Sequence, residues 1–414
     1  MTVTGTSWPV GAVAPISREP PGPAILLPRR RPGYLGPLHI SQLLLTEFAL
    51  VAVLASVTRG MLAAIGAVAG AAILLLVTLG RHKGRWWLER RLMTWRYDRR
   101  QRGAATEYAD DARIAALRRL APGLVVENVA VAGGGQVGVA RDDAGWFAVA
   151  AISSSTPMRE STGGLPLDAL ASALAEAEQP GAVLQVVIQA VPAPSTDAPA
   201  SSPAGHSYRQ LLARFGQTSV PADRSTWIAV RLDARSLAEA LADHTADVDT
   251  APAVVAALIR RVAKALRPAG ISPQLLDADG LLAALVNSCD LESSVQQPSP
   301  PREEWSAWRS SRFAHRAFWI RDWPAVDRAA SLLDSLFTVP TAMTSVALIL
   351  APAERERMVD LKALVRVTAP AGELEQVCRS VIGAARKAKA DLFQLDGEQS
   401  PAVYASAPTG GGAR

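Results

Sequence analysis

The chain has little with which to do covalent or metal chemistry. Two cysteines, Cys289 and Cys378, stand among 414 residues, in separate predicted elements. Their spacing demands no bridge, and Cys378 falls on the apolar stripe of a predicted helix, where a thiol acts as a small hydrophobe. The five histidines (His39, His82, His206, His244, His315) are scattered, with no pair at metal-ligand spacing. Gly-Lys-Ser/Thr, Gly-x-Ser-x-Gly, His-Glu-x-x-His and Cys-x-x-Cys are missing, which removes the phosphate-loop, serine-hydrolase, zincin and dithiol signatures. No cofactor, metal or catalytic residue is expected.

Positive charge is also missing where a nucleic-acid footprint would need it. Residues 1–102 hold 14 Lys and Arg against 4 Asp and Glu, whereas residues 103–414 hold 29 against 34. The pI of about 9.5 therefore comes from one end of the chain, and nucleic acid is not expected as a partner.

What is there begins with two apolar runs, 38–58 and 61–80, separated by Arg59-Gly60. The first carries one charge, Glu47, and the second none. Each reaches the ~20 apolar residues needed to cross a hydrocarbon core, so the pair predicts a two-helix transmembrane hairpin. Basic clusters lie before the first run (Arg29, Arg30, Arg31) and after the second (nine Lys and Arg in 81–102), with only Arg59 between. By the positive-inside rule this predicts a multi-pass membrane protein with both termini cytoplasmic.

Three features of this region are candidate contact sites. Gly66 and Gly70 form a GxxxG pair, at which a helix of the same or another chain can approach the backbone closely, or they are a chance pair in a small-residue helix. Glu47 within an apolar run should face protein or water, protonated, snorkelling or paired with a partner. Arg85, Trp86, Trp87, Arg90 and Arg91 interleave cations with rings, as at a headgroup layer. The segment either lies along anionic lipid headgroups or continues the second helix away from them.

Composition divides the remainder. Residues 1–37 hold eight prolines and are expected to be disordered. Residues 81–122 form a basic juxtamembrane connector, and 123–192 the first part of a cytoplasmic α+β (mixed α/β) domain, opening with a three-stranded meander. Its turns are Gly133-Gly134-Gly135 and Asp142-Asp143-Ala144-Gly145. A Pro/Ala/Ser-rich linker at 193–206, a helical part at 207–291 and a polar loop at 292–304 follow. Residues 305–414 read as strand 312–320, helix 325–337, strands 343–350 and 358–368, helix 372–389 and strand 402–405. This βαββαβ order suggests a ferredoxin-like C-terminal unit.

One chemical pattern remains. Asp247-Val248-Asp249 and Asp277-Ala278-Asp279 are Asp-x-Asp pairs, which in membrane-attached glycosyltransferases hold a divalent ion against a nucleotide sugar. Among 21 aspartates about one such pair arises by chance, and Asp277 equally suits a helix N-cap.

Two local stretches carry a family resemblance. They are Gly138-Val139-Ala140-Arg141-Asp142-Asp143-Ala144-Gly145-Trp146-Phe147-Ala148-Val149 and Leu395-Asp396-Gly397-Glu398-Gln399…Pro401-Ala402-Val403-Tyr404. With the order of parts along nearly the whole chain, they make it resemble EccE, a membrane subunit of mycobacterial type VII (ESX) secretion systems. The resemblance implies an inner-membrane complex with EccB, EccC and EccD, in which EccC is the ATPase and EccE a peripheral structural subunit without catalysis. The proline-rich start has no counterpart in that pattern.

Overall fold

A computed structural model describes the chain from residue 25 to residue 412 with breaks. Residues 1–24, 29–33, 36–37, 59, 80, 83–84, 104–110, 132–133, 153–164, 178, 192–202, 204–205, 208–209, 211–222, 243–249, 292–299, 354–357 and 413–414 lie outside the described residues. Strand β1 (Ile25–Pro28) precedes two helices that pack against each other, α1 (Ile40–Val57) and α2 (Met61–Leu79). Short strand pairs bracket them: β2 (Tyr34–Leu35) with β3 (Leu38–His39), and β4 (Arg81–His82) with β5 (Arg85–Trp86). Helix α3 (Trp87–Gly103) follows directly.

This part corrects the expectation of a transmembrane hairpin. Among the described residues, no helix is long and apolar enough to cross a membrane. The run counted from residue 38 loses Leu38 and His39 to β3 and retains 18 helical residues, including Gln42, Thr46 and Glu47; α2 has 19. At a rise of about 1.5 Å per residue these helices span about 27 and 28.5 Å, against a hydrocarbon core of about 30 Å. The multi-pass inner-membrane placement with two cytoplasmic termini rested on the same runs and is withdrawn with them. The fold class is instead a large antiparallel sheet with helices.

Helix α4 (Ala112–Arg118) leads into the meander β6 (Val125–Ala130), β7 (Gln136–Asp142) and β8 (Gly145–Ile152). Its turns form where Gly and Asp stand. Gly134 and Gly135 take φ of +85° and +99°, values open to glycine. At the second turn Asp142 Oδ1 accepts the N–H groups of Ala144 (2.9 Å) and Gly145 (3.1 Å).

Helix α5 (Leu167–Ala175), β9 (Ala182–Val191), β10 (Asp223–Asp233), α6 (Ala234–Ala242), α7 (Ala251–Leu266), β11 (Gln274–Leu275) and α8 (Ala278–Cys289) follow. The chain continues with β12 (Arg302–Glu303), β13 (Trp308–Arg309), β14 (Ala314–Asp322), α9 (Val326–Phe337), β15 (Met343–Pro352), β16 (Met358–Ala369), α10 (Leu374–Lys387), β17 (Asp391–Gln394) and α11 (Gln399–Ala405).

Thirteen of these strands form one sheet, β12-β13-β14-β16-β15-β9-β10-β8-β7-β6, with β1 beside β16, β11 beside β8 and β17 beside β14. The order β17-β14-β16-β15 recurs in the first half as β11-β8-β10-β9, so the same βαββαβ wiring occurs twice. The halves join through β9 and β15, antiparallel with Val187 opposite Ala347. The ferredoxin-like arrangement is therefore not a separate C-terminal unit, and its last strand is 391–394; the expected strand at 402–405 is helix α11. A four-residue apolar run has no readable period, and here the strand's place beside β14 is already taken.

Both faces of the sheet are covered. Leu170, Leu237, Val255, Leu332 and Val381, from α5, α6, α7, α9 and α10, line one core. Leu117, Leu285 and Tyr404, from α4, α8 and α11, line the other with Phe147, Trp227 and Ala347 of the sheet.

Candidate functional site

The second face carries a buried strap. From Gln399 to Gly412 the chain runs across the sheet with every residue buried except Pro401 and Gly411, which are partly exposed. Apolar Val403, Tyr404 and Ala407 drive it in, and three polar ties hold its backbone.

The first tie is Gln185 on β9, a position where alternation alone predicts a wet face. Its Nε2 donates to the Ala405 carbonyl (2.7 Å), and its Oε1 accepts from the amides of Thr409 (3.1 Å), Gly410 (2.7 Å) and Gly411 (3.0 Å). Gly410 and Gly411 adopt φ of +73° and +74°. A Cβ on Gly410 would collide with the Arg231 side chain, so only glycine lets the strap pass at that point.

The second tie joins the two stretches that carry the family resemblance. Asp142, from the β7–β8 turn, accepts a hydrogen bond from the Tyr404 hydroxyl (2.7 Å) and two from the Arg231 guanidinium. Arg231 also donates through Nε to the Thr409 carbonyl (2.8 Å). Both charged side chains are almost fully buried. Burial by itself would raise the Asp142 carboxyl, but the Arg231 hydrogen bonds and charge, with Tyr404, hold it below the usual carboxylate range. A small cleft of about 280 Å³, near the lower limit for ligand sites, opens beside it, lined by Pro122, Asp143, Asp233, Arg235 and Tyr404. Both Asp142 oxygens are occupied, so it offers no ready base there.

The third tie brings in α3. Glu303 on β12 takes a bidentate ion pair from Arg100 (3.1 and 3.2 Å) and the Ser400 amide (3.0 Å), while its carbonyl accepts from Gln101 (2.9 Å). Arg100 also reaches the Gly397 carbonyl. The Tyr97 ring meets Trp305 edge-on at 5.4 Å. The helix after α2 is thus clamped to the start of the strap.

The other candidates lie elsewhere. Glu47 is exposed on α1. Gly66 and Gly70 are exposed on α2, and a Cβ on either would meet nothing within 4 Å, so neighbouring α1 does not use the GxxxG face. Arg85 and Trp86 lie on β5 and Trp87 opens α3; their side chains are outside the described residues. Arg90 is half-buried and Arg91 exposed, both on α3.

Asp247 and Asp249 fall outside the described residues. Asp277 is the N-cap of α8, its Oδ1 accepting from the Gly280 amide (2.8 Å). Asp279 is exposed and pairs with Arg113 (2.9 Å). Among the described residues no three His, Cys, Asp or Glu side chains are placed to hold a metal ion. Both cysteines are free thiols, and burial raises each to about 11.

Sequence reading missed Gln185, Arg231, Glu303 and the buried Arg366. For Gln185, Arg231 and Arg366 the only signal was a polar residue inside an apolar strand, which alternation assigns to solvent when the covering layer comes from far along the chain; Glu303 lay in the expected polar loop at 292–304.

A comparison with protein families matches residues 220–320, about a quarter of the chain, to EccE, described as a putative type VII ESX secretion system translocon. The matched stretch contains Arg231, Asp290 and Glu303, and it bears out the resemblance drawn from other residues. No curated protein matches the chain.

Proposed function

We propose, taking that match as premise, that this chain is a structural subunit of a type VII (ESX) protein secretion complex, supporting its assembly without catalysis of its own. The observation that carries the reading is the EccE match itself, which describes a secretion component. The buried ties are consistent with it: Asp142, Arg231 and Glu303 are each engaged in holding chain segments together. Residues so engaged build a rigid body, and none of these three is free for proton transfer. In this reading the partners are the EccB, EccC and EccD subunits that the resemblance implies. The open Gly66/Gly70 face of α2 and exposed Glu47 meet other subunits, and the arginines of α3, Arg90 and Arg91 among them, meet anionic lipid headgroups or acidic partner surfaces.

The rival reading, a glycosyltransferase-like enzyme, needs an Asp-x-Asp pair free to take a cation. The test is a double variant, Asp277→Ala with Asp279→Ala, returned to cells that lack the protein. Loss of the N-cap costs about 1 kcal/mol, and the exposed Arg113 pair little. Secretion of the system's substrates, followed by immunoblot of culture filtrate, is expected to stay within about twofold of wild type. Abolished secretion with the variant folded and at normal abundance would favour the enzyme.

A further inference from the structure

Helix α3 has two unlike faces. One is clamped to the body, Arg100 on Glu303 and the Gly397 carbonyl, Gln101 on the Glu303 carbonyl and Tyr97 on Trp305. Arg90, two turns before Tyr97, is half-buried. The other face turns outward. Leu92 and Trp95 are 50% and 57% exposed, and Arg96, Arg99 and Arg102 are exposed beside them, with Asp98 at the edge. Offsets of three and four residues place these side chains on one side of the helix. Among the described residues no carboxylate pairs with Arg96, Arg99 or Arg102. The Arg99 guanidinium lies instead over the Trp95 ring, 5.7 Å from its centroid.

Helix α3 does not continue α2, because β4 and β5 stand between them. The clamp therefore decides which face is presented. Two large apolar side chains in water are unfavourable, and arginines interleaved with them exclude a dry protein core as their cover. A convex helix face offers no pocket in which carboxylates could be matched to it one by one. A headgroup layer meets both needs along its whole extent, since it takes tryptophan rings at its boundary and arginines on its phosphates.

We propose that the outward face of α3 binds the surface of an anionic phospholipid layer, with Leu92 and Trp95 at the headgroup boundary and Arg96, Arg99 and Arg102 on lipid phosphates. The contact lies along the surface and requires no span. It rests on the reading above, in which the α3 arginines meet lipid or an acidic partner, and commits that face to lipid.

The test is flotation of the purified full chain with vesicles of phosphatidylcholine alone and of equal parts phosphatidylcholine and phosphatidylglycerol. Neutral vesicles register what the exposed apolar residues of α1 and α2 contribute, and the difference belongs to charge. The variant Arg96→Gln with Arg99→Gln and Arg102→Gln is expected to bind anionic vesicles about 100-fold more weakly than wild type, about fivefold for each arginine, and neutral vesicles equally. Brominated lipid is expected to quench tryptophan emission less in Trp95→Phe than in wild type. Equal binding of wild type to both vesicles, or a triple variant that matches wild type on anionic vesicles, would overturn the proposal. So would retention on poly-glutamate without a gain on anionic vesicles, which assigns the face to an acidic protein. Complete displacement by inorganic phosphate would overturn it too, as a discrete anion site. Each readout uses the chain alone, so its failure is distinct from failure of the secretion reading, which co-purification tests.

Discussion

Asp142→Ala is expected to destabilise the protein by about 3–5 kcal/mol, the range for removing one partner of a buried ion pair. The loss is large because the carboxylate serves four groups at once. It compensates Arg231, receives the Tyr404 hydroxyl and accepts the two amides that shape the β7–β8 turn. Denaturant unfolding followed by far-UV circular dichroism measures it. A loss under about 1 kcal/mol would mean that the pair is solvated. The same group gives a pH dependence with a defined sign. Burial alone would raise its folded pKa, but the hydrogen bonds and charge of Arg231, with Tyr404 and the Ala144 amide, together depress it. Its contribution is therefore present above the unfolded value of about 3.9 and is lost as pH falls through the lower folded value. Wild type should lose this increment below about pH 4, and Asp142→Ala should show no such increment.

Deleting residues 399–414 is expected to cost more, about 5 kcal/mol or above, and to leave a chain that binds hydrophobic dyes. The deletion strips Val403, Tyr404 and Ala407 from the second core. It also unpairs Gln185 and leaves Arg231 without the Thr409 carbonyl. Removing a large buried aromatic alone costs about 3–5 kcal/mol, and each buried polar group left unpaired adds about 1–3. Tyr404→Phe separates the two contributions. It keeps the ring, loses only the hydroxyl bond to Asp142, and should cost about 1–2 kcal/mol. A truncated protein as stable as wild type would show the strap to be an ornament of the fold.

Much of the framework was legible because it is local. Glycine and aspartate marked both meander turns, and periodicity marked the helices at 251–266 and 374–387. The apolar runs at 38–58 and 61–80 did become two helices, but β3 took the first two residues of one, and hydropathy alone cannot see such a boundary. The candidate site was almost illegible. In 358–368 Val359, Leu361, Ala363, Val365 and Val367 alternate with Asp360, Lys362, Arg366 and Thr368, which reads as a polar side facing water, a sound inference for a sheet with one wet face. Here α8 and α11 cover that face, so Arg366 and Thr368 are fully buried. The tie between Arg100 and Glu303 spans about 200 residues, and no pattern within one helix or strand announces it. The family resemblance did mark one contact, since Asp142 and Tyr404 came from its two stretches.

A chain that works as a fixed part of a larger secretion assembly, as proposed, is recovered with that assembly. Affinity purification of the full chain from its own cells after mild cross-linking, followed by native sizing and mass spectrometry, is the decisive measurement. Co-elution in a large particle with an ATPase and other ESX subunits is expected, lost when α1 and α2 are removed. Recovery of the chain alone, with the ATPase-containing assembly intact in another fraction, would contradict it.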